Sequence, residues 1–221
     1  MFVDADDWLA EDAIERCSPY MADNDIIRFS AIAVYPNRTK KYRLSKSSDT
    51  TKIIGDIIAR KTVVACWGAL FRKSLFNYPE SRFDSSLNIG EDWLMTLRLA
   101  LRSKKIKVLP ELYGYYYNKT NENSCTLTLD PAKILTQFKA LALIREHVPC
   151  GHNSRFALSK CLFIQELIDN CGMAEAGKLL QGIGTDFKRS DLIYILSANI
   201  SLRKKISLLR FYQGKYISRI S

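Results

Sequence analysis

The chain changes texture once, near residue 128, and that change limits what it can fold into. Before it, short runs rich in Ile, Phe, Val and Tyr alternate with amphipathic stretches. After it only helical periodicity is left. The first part reads as a short helix over 11–21, a strand over 25–34, and a polar, basic stretch over 35–48 whose Pro36-Asn37 pair marks a hairpin or a loop. Asp49 or Thr50 can cap a helix running to Arg60, and an apolar segment covers 63–76. Turn chemistry over 77–89 leads into a helix over 91–103, with Trp93, Leu94, Leu97 and Leu101 on its apolar side. A strand is expected over 106–109, ended by Pro110, then an aromatic strand over 113–117 and a polar loop over 118–124 of the kind that closes over substrates. In the second part Pro131 suits the first position of a helix, and helices are expected over 134–147, 155–171, 173–181, 186–198 and 202–212. The expectation is an α/β domain over 1–128 and a basic helical region over 129–221.

Two acidic clusters stand out against this pattern. Phe2 and Val3 read as the end of a buried strand running into Asp4, Asp6 and Asp7, the clustered oxygen ligands that a hard divalent cation takes. Asp7 could equally cap the next helix. The second cluster, Gly90-Glu91-Asp92-Trp93, places two acids at a helix N-terminus, where the macrodipole favours the ionised form. A metal site together with a general base is the chemistry such a pair suggests.

Four segments in order resemble the family 2 glycosyltransferases of the GT-A fold. Phe2-Val3-Asp4-Ala5-Asp6-Asp7-Trp8 is similar to the family's D-x-D metal motif, and Glu91-Asp92 to its E-D catalytic motif. The stretch from Trp67 to Phe76 looks like its W-x-K-L-[FY]-[RK]-[RK]-S segment, with Ala69 where the family often has Lys. The stretch from Ile106 to Tyr117 resembles its strand-P-E-x-L-Y region. The resemblance covers roughly the first 125 residues. It implies the C-terminal part of a GT-A, Rossmann-like domain that begins at the D-x-D motif, so that the chain is N-terminally truncated and lacks the nucleotide-binding half.

What the resemblance implies for chemistry is inverting transfer of a hexosyl group from a nucleotide-sugar donor, UDP-linked, to a glycan or lipid-linked glycan hydroxyl, in surface polysaccharide biosynthesis. Asp4 and Asp6 would ligate Mn²⁺ or Mg²⁺, and Asp4, Asp6 and Asp7 would contact the donor, with Asp7 as either a contact or an orienting residue. Asp92 would be the base toward the acceptor hydroxyl and Glu91 its support. Trp67 and Trp93 are candidates either for stacking on an acceptor sugar or for filling core. A catalytically inactive remnant serving as a membrane-associated or protein-interaction module is the alternative.

Charge bounds the partners. The chain carries a formal net charge of +10, which points to an acidic partner: nucleic acid, anionic lipid or a phosphate-bearing substrate. Nucleic acid fits least, since no zinc-finger spacing and no basic-aromatic recognition segment is present. Lys188, Arg189, Arg203, Lys204, Lys205, Arg210, Lys215 and Arg219 face only Asp191, while Leu202, Ile206, Leu209 and Tyr212 recur at helical spacing. That stripe either packs on the body of the protein or lies on an anionic membrane surface. Six scattered cysteines without C-x-x-C pairs fit a reduced, cytoplasmic setting, peripheral at the membrane face. His147, Cys150 and His152 lack the spacing of a zinc site.

Overall fold

One strand organises the first part of the chain. β2 (Ile26–Tyr35) has the sequence IIRFSAIAVY and is buried along its first six residues, as a strand covered on both faces must be. In this computed structural model, which describes residues 1–47, 49–120, 130–148, 151–183, 189–197 and 200–217, β2 runs parallel to β5 (Ile106–Asn118). The other edge of β2 pairs antiparallel with β4 (Ala69–Phe71) at one end and β3 (Arg38–Tyr42) at the other. β1 (Trp8–Leu9) pairs antiparallel with β5, giving the order β1-β5-β2-β3. The β2–β3 connection is a hairpin whose turn is Pro36-Asn37.

Pro110 does not end its strand. The expected strands over 106–109 and 113–117 are a single element, and the register with β2 jumps from Phe29↔Leu109 to Ser30↔Tyr113. Proline has no N–H to give the ladder, and a bulge removes the need for one. The Ser30 hydroxyl holds the bulge, donating to the Pro110 carbonyl at 2.8 Å and accepting from the Leu44 N–H at 3.0 Å.

Helices cover this sheet. On one side the short α1 (Ala13–Cys17) packs over Ile27, Phe29, Ala31, Leu112 and Tyr115. Gly114 permits this approach, because a Cβ there would lie 2.9 Å from two Phe29 ring carbons and 3.2 Å from the Ala13 Cβ. The alternate β2 residue Arg28 is buried, and burial lowers its pKa to about 10. Its guanidinium donates to the Val63 carbonyl. The helix α2 (Thr50–Ile58) is capped by Asp49, whose carboxylate accepts from Thr51 N at 2.9 Å and Lys52 N at 3.2 Å. It packs on α3 (Glu91–Arg102), a helix buried through Trp93–Leu97.

The chain forms two units. Met1–Ser86 and Glu91–Thr128 make the first, and Leu87–Gly90 with Leu129–Ser221 make the second. The second contains α4 (Pro131–His147), α5 (Asn153–Gly182), α6 (Arg189–Ser197) and α7 (Leu202–Ile217). Asp130 caps α4, accepting from Lys133 N at 2.8 Å. The two helices expected over 155–171 and 173–181 are both present within α5, meeting at Gly172, whose non-helical φ of 79° glycine adopts without the Cβ clash. Of the loop expected over 118–124 and the helix over 186–198, residues 121–124, 186–188 and 198 lie outside the described residues.

Gly114→Ala should destabilise the first unit by about 1–3 kcal/mol, the usual cost of overpacking a filled core. Thermal denaturation of the purified variant checks this, and a wild-type midpoint would mean Phe29 gives way freely.

Candidate active site

Asp4, Asp6 and Asp7 sit on a turn, and one phenol hydroxyl fixes that turn to the sheet. The Asp7 N–H donates to the Asp4 carbonyl at 3.1 Å, closing the turn. Tyr115, fully buried in β5, accepts from the Asp4 N–H at 3.2 Å and donates to Asp7 Oδ2 at 2.6 Å. The other Asp7 oxygen accepts from Asn118 N at 2.7 Å. Both Asp7 oxygens therefore take protein donors.

The expected strand through Phe2 and Val3 is absent, and Val3 is exposed. Phe2 instead meets Phe71, Phe76 and Phe83 edge to face, with ring centroids 5.4–6.1 Å apart. Aromatic packing thus anchors the N-terminal side of the acidic turn, and the β1–β5 pairing anchors the other side. Trp8 stacks flat on Tyr116 with centroids 5.5 Å apart.

Glu91 and Asp92 occupy the first turn of α3, as their sequence position suggests. Cys66 sits behind them. Its thiol lies 3.6 Å from the Asp92 carbonyl oxygen and 3.4 Å from Thr96 Oγ1. Burial raises the Asp92 pKa, against the lowering effect of hydrogen bonds from the Cys66 side chain and backbone. Burial likewise pushes up the Cys66 thiol, and Asp92 adds to it. The thiol is therefore a neutral donor and not a nucleophile.

The two acidic clusters feel each other. The Asp4 carboxyl is raised first by partial burial, then by Asp7, Asp92 and Asp6. Glu91 is raised by burial, with further upward contributions from Asp92 and Asp4. Segments 88 residues apart in sequence thus bring Asp4 and Asp92 within electrostatic reach.

The two tryptophans part company. Trp93 is 2% exposed and its indole N–H donates to the Ile57 carbonyl at 2.8 Å, so it is core and the acceptor contact considered for it is excluded. Trp67 is half-buried and stacks on Tyr115 with centroids 4.8 Å apart and planes 12° apart. It also meets Tyr117 at 5.3 Å. In the same segment Arg72 is a clamp, donating to Asp25 Oδ1 at 3.0 Å and to the Asn24 carbonyl at 2.9 Å.

Tyr115, Asn118 and Cys66 were not singled out from the sequence. Alternation along the aromatic strand turns residues 113, 115 and 117 to one face, which is the signal that bears on Tyr115. Cys66 carries none, because its role depends on α3 folding against it. Among the described residues no group of three or more His, Cys, Asp or Glu is placed to hold a metal ion. Cys150, of the His147-Cys150-His152 group, lies outside them.

The fold is a mixed α/β sheet covered by helices. It is similar to crystal structures of S. aureus TarS. Against TarS itself the TM-score is 0.55 at 15% identity, over 99% of this chain and 38% of that one. Against TarS 1-349 in complex with UDP it is 0.53 at 14% identity, over 88% and 52%. Against the same fragment in complex with UDP-GlcNAc it is 0.51 at 14% identity, over 99% and 67%. This chain thus spans about half the length of the UDP-bound fragment it matches. No protein-family model matches the chain. No curated protein matches it either.

Two outcomes follow from the site's electrostatics. Tyr115→Phe removes a donor to the Asp7 carboxylate and should cost about 1.5–3 kcal/mol by thermal or urea denaturation, the range for a hydrogen bond to a charged group. For Asp92, a raised pKa means that the folded state binds the proton more tightly than the unfolded state. The stability this proton confers is present below the ordinary value of 3.8 and is lost as pH rises through the folded value. Asp92→Asn should therefore raise the thermal midpoint at neutral pH. The gain should shrink as pH falls toward 4, and a gain independent of pH would remove desolvation as its cause.

Proposed function

We propose that the chain carries the catalytic acid cluster of an inverting glycosyltransferase that moves a sugar from a UDP-linked donor to a glycan hydroxyl. The observation that carries the reading is the desolvated Asp92 carboxylate within electrostatic reach of the Asp4 turn. A carboxylate whose pKa is raised is a stronger base, and in inverting transfer a base must take the acceptor proton as the new C–O bond forms. Glu91, raised by burial and further by Asp92 and Asp4, supports it. The resemblance of four ordered segments to family 2 enzymes and the likeness to TarS structures holding UDP and UDP-GlcNAc support the same reading.

The residues fit a divalent cation. Mg²⁺ is usually held by one or two carboxylates plus substrate phosphates, without an all-protein cage, so the lack of a three-residue cluster is no obstacle. Asp4 and Asp6 are the two carboxylates assigned to it. Partial burial and then repulsion from Asp7, Asp92 and Asp6 raise the Asp4 pKa, and a cation would relieve the repulsive part. Bound Mn²⁺ or Mg²⁺ would supply charge stabilisation for the diphosphate leaving group. Asp7, with Tyr115 and Asn118, sets the turn that presents Asp4 and Asp6. Trp67, braced by Tyr115 and Tyr117, offers an aromatic face for an acceptor sugar. Surface polysaccharide assembly is the setting that the family resemblance suggests.

Calorimetric titration of the 221-residue chain with UDP and Mn²⁺ tests this. Metal-dependent binding should be seen, lost in Asp6→Asn and kept in Asp92→Asn, because Asp92 is assigned to the acceptor side. Metal-independent binding, or no binding by a cooperatively folded chain, would overturn the assignment of Asp4 and Asp6.

A further inference from the structure

The apolar stripe of the last helix faces outward. In α7 the buried side chains are Leu208 and Phe211, whereas Leu202 is 72% and Ile206 41% exposed. With 3.6 residues per turn, Leu202, Ile206 and half-buried Leu209 share one side of the helix, roughly opposite Leu208 and Phe211. Of the two roles open to the stripe of Leu202, Ile206, Leu209 and Tyr212, packing on the body of the protein is not the one that Leu202 and Ile206 take. The same geometry puts Arg203 and Arg210 along one flank of the stripe and Lys205 along the other.

The face continues onto α6. The Lys205 ammonium donates to the Leu196 carbonyl at 2.7 Å, which brings the first turn of α7 beside the end of α6. There the Leu196 side chain is 57% exposed. Contiguous exposed apolar surface rimmed by polar groups marks an interaction site, whereas scattered exposed residues do not.

Charge identifies the occupant. Residues 189–217 carry six Lys and Arg against one acid, Asp191. That acid is buried and paired with Lys160 at 2.5 Å, so it puts no negative charge on the surface. A second copy of the chain would bring like charges together. Nucleic acid would leave the leucines and isoleucine without a use. An anionic bilayer takes both parts, since apolar side chains enter the acyl boundary while flanking Lys and Arg meet the headgroups. Among the described residues no helix is long and apolar enough to cross a membrane.

We propose that the α6–α7 face, with Leu196, Leu202 and Ile206 at its centre and Arg203, Lys205 and Arg210 on its flanks, is an interfacial docking surface for anionic lipid. The surface lies within the second unit and is independent of the transfer chemistry proposed for the first.

Flotation of the full chain with phosphatidylcholine vesicles, with and without about one-quarter phosphatidylglycerol, tests this at about 0.1 M and about 1 M salt. Binding is expected only to the anionic vesicles and should be lost at the higher salt. The pair Leu202→Ser and Ile206→Ser should weaken it at least about tenfold while leaving the thermal midpoint unchanged, because both side chains are exposed. The pair Arg203→Gln and Arg210→Gln should weaken it by about 25-fold, roughly fivefold per charge near an anionic surface. Wild-type binding by the serine variant, equal binding to neutral vesicles, or no binding at all would overturn the proposal. So would a concentration-dependent dimer, read by light scattering, that the serine variant abolishes.

Discussion

The hydroxyl of Tyr115 is the contact on which the candidate site depends. It lies at the end of a fully buried side chain in the strand between β1 and β2, and it serves as acceptor to the Asp4 backbone and donor to the Asp7 carboxylate. A buried phenol needs a partner, and a partly buried carboxylate needs a donor, so each group satisfies the other. The acidic turn is positioned by the sheet itself as a result. Trp67 stacked on the same ring ties a third segment to this point.

That arrangement concentrates negative charge, which stability alone would not favour. Asp4, Glu91 and Asp92 all have raised pKa values, each with burial as the first cause. Groups held against their own charge preference are a recurring mark of sites that use that charge on a ligand. Cys66 limits the cost at Asp92 by donating to it, and the macrodipole of α3 acts in the same direction. A site loosely assembled from loops could not hold such groups in place. Here one cluster is on a turn pinned to β5 and the other on a helix buried along most of one turn after another.

Much of the architecture was legible in the sequence because local rules governed it. β2 announced itself by a run rich in Ile, Phe and Val, the β2–β3 turn by Pro-Asn, α2 by its Asp49 cap and α4 by Pro131, each helix signal followed by helical periodicity. Local rules failed where a long-range partner intervened. Pro110 signals the end of a strand, yet a bulge opposite Ser30 removes the demand for its missing N–H. Phe2 and Val3 look like strand, yet the aromatic cluster around Phe2 takes the segment out of the sheet. The α7 stripe has the spacing of a buried face, yet Leu208 and Phe211 are the residues that pack.

The sequence by itself determined which residue types could do chemistry and on which elements they would lie: carboxylates beside an apolar start, a second acidic pair opening a helix, and a basic helical region after them. Local periodicity and capping suffice for that, since they act over a few residues. Only the tertiary structure decided which of those groups meet. Asp4 and Asp92 are brought within electrostatic reach, Trp93 is taken into the core and Trp67 left half-exposed, and Tyr115 becomes the support of the acidic turn. The physical reason is that burial and proximity belong to the packed chain, being set by contacts between segments as much as 111 residues apart.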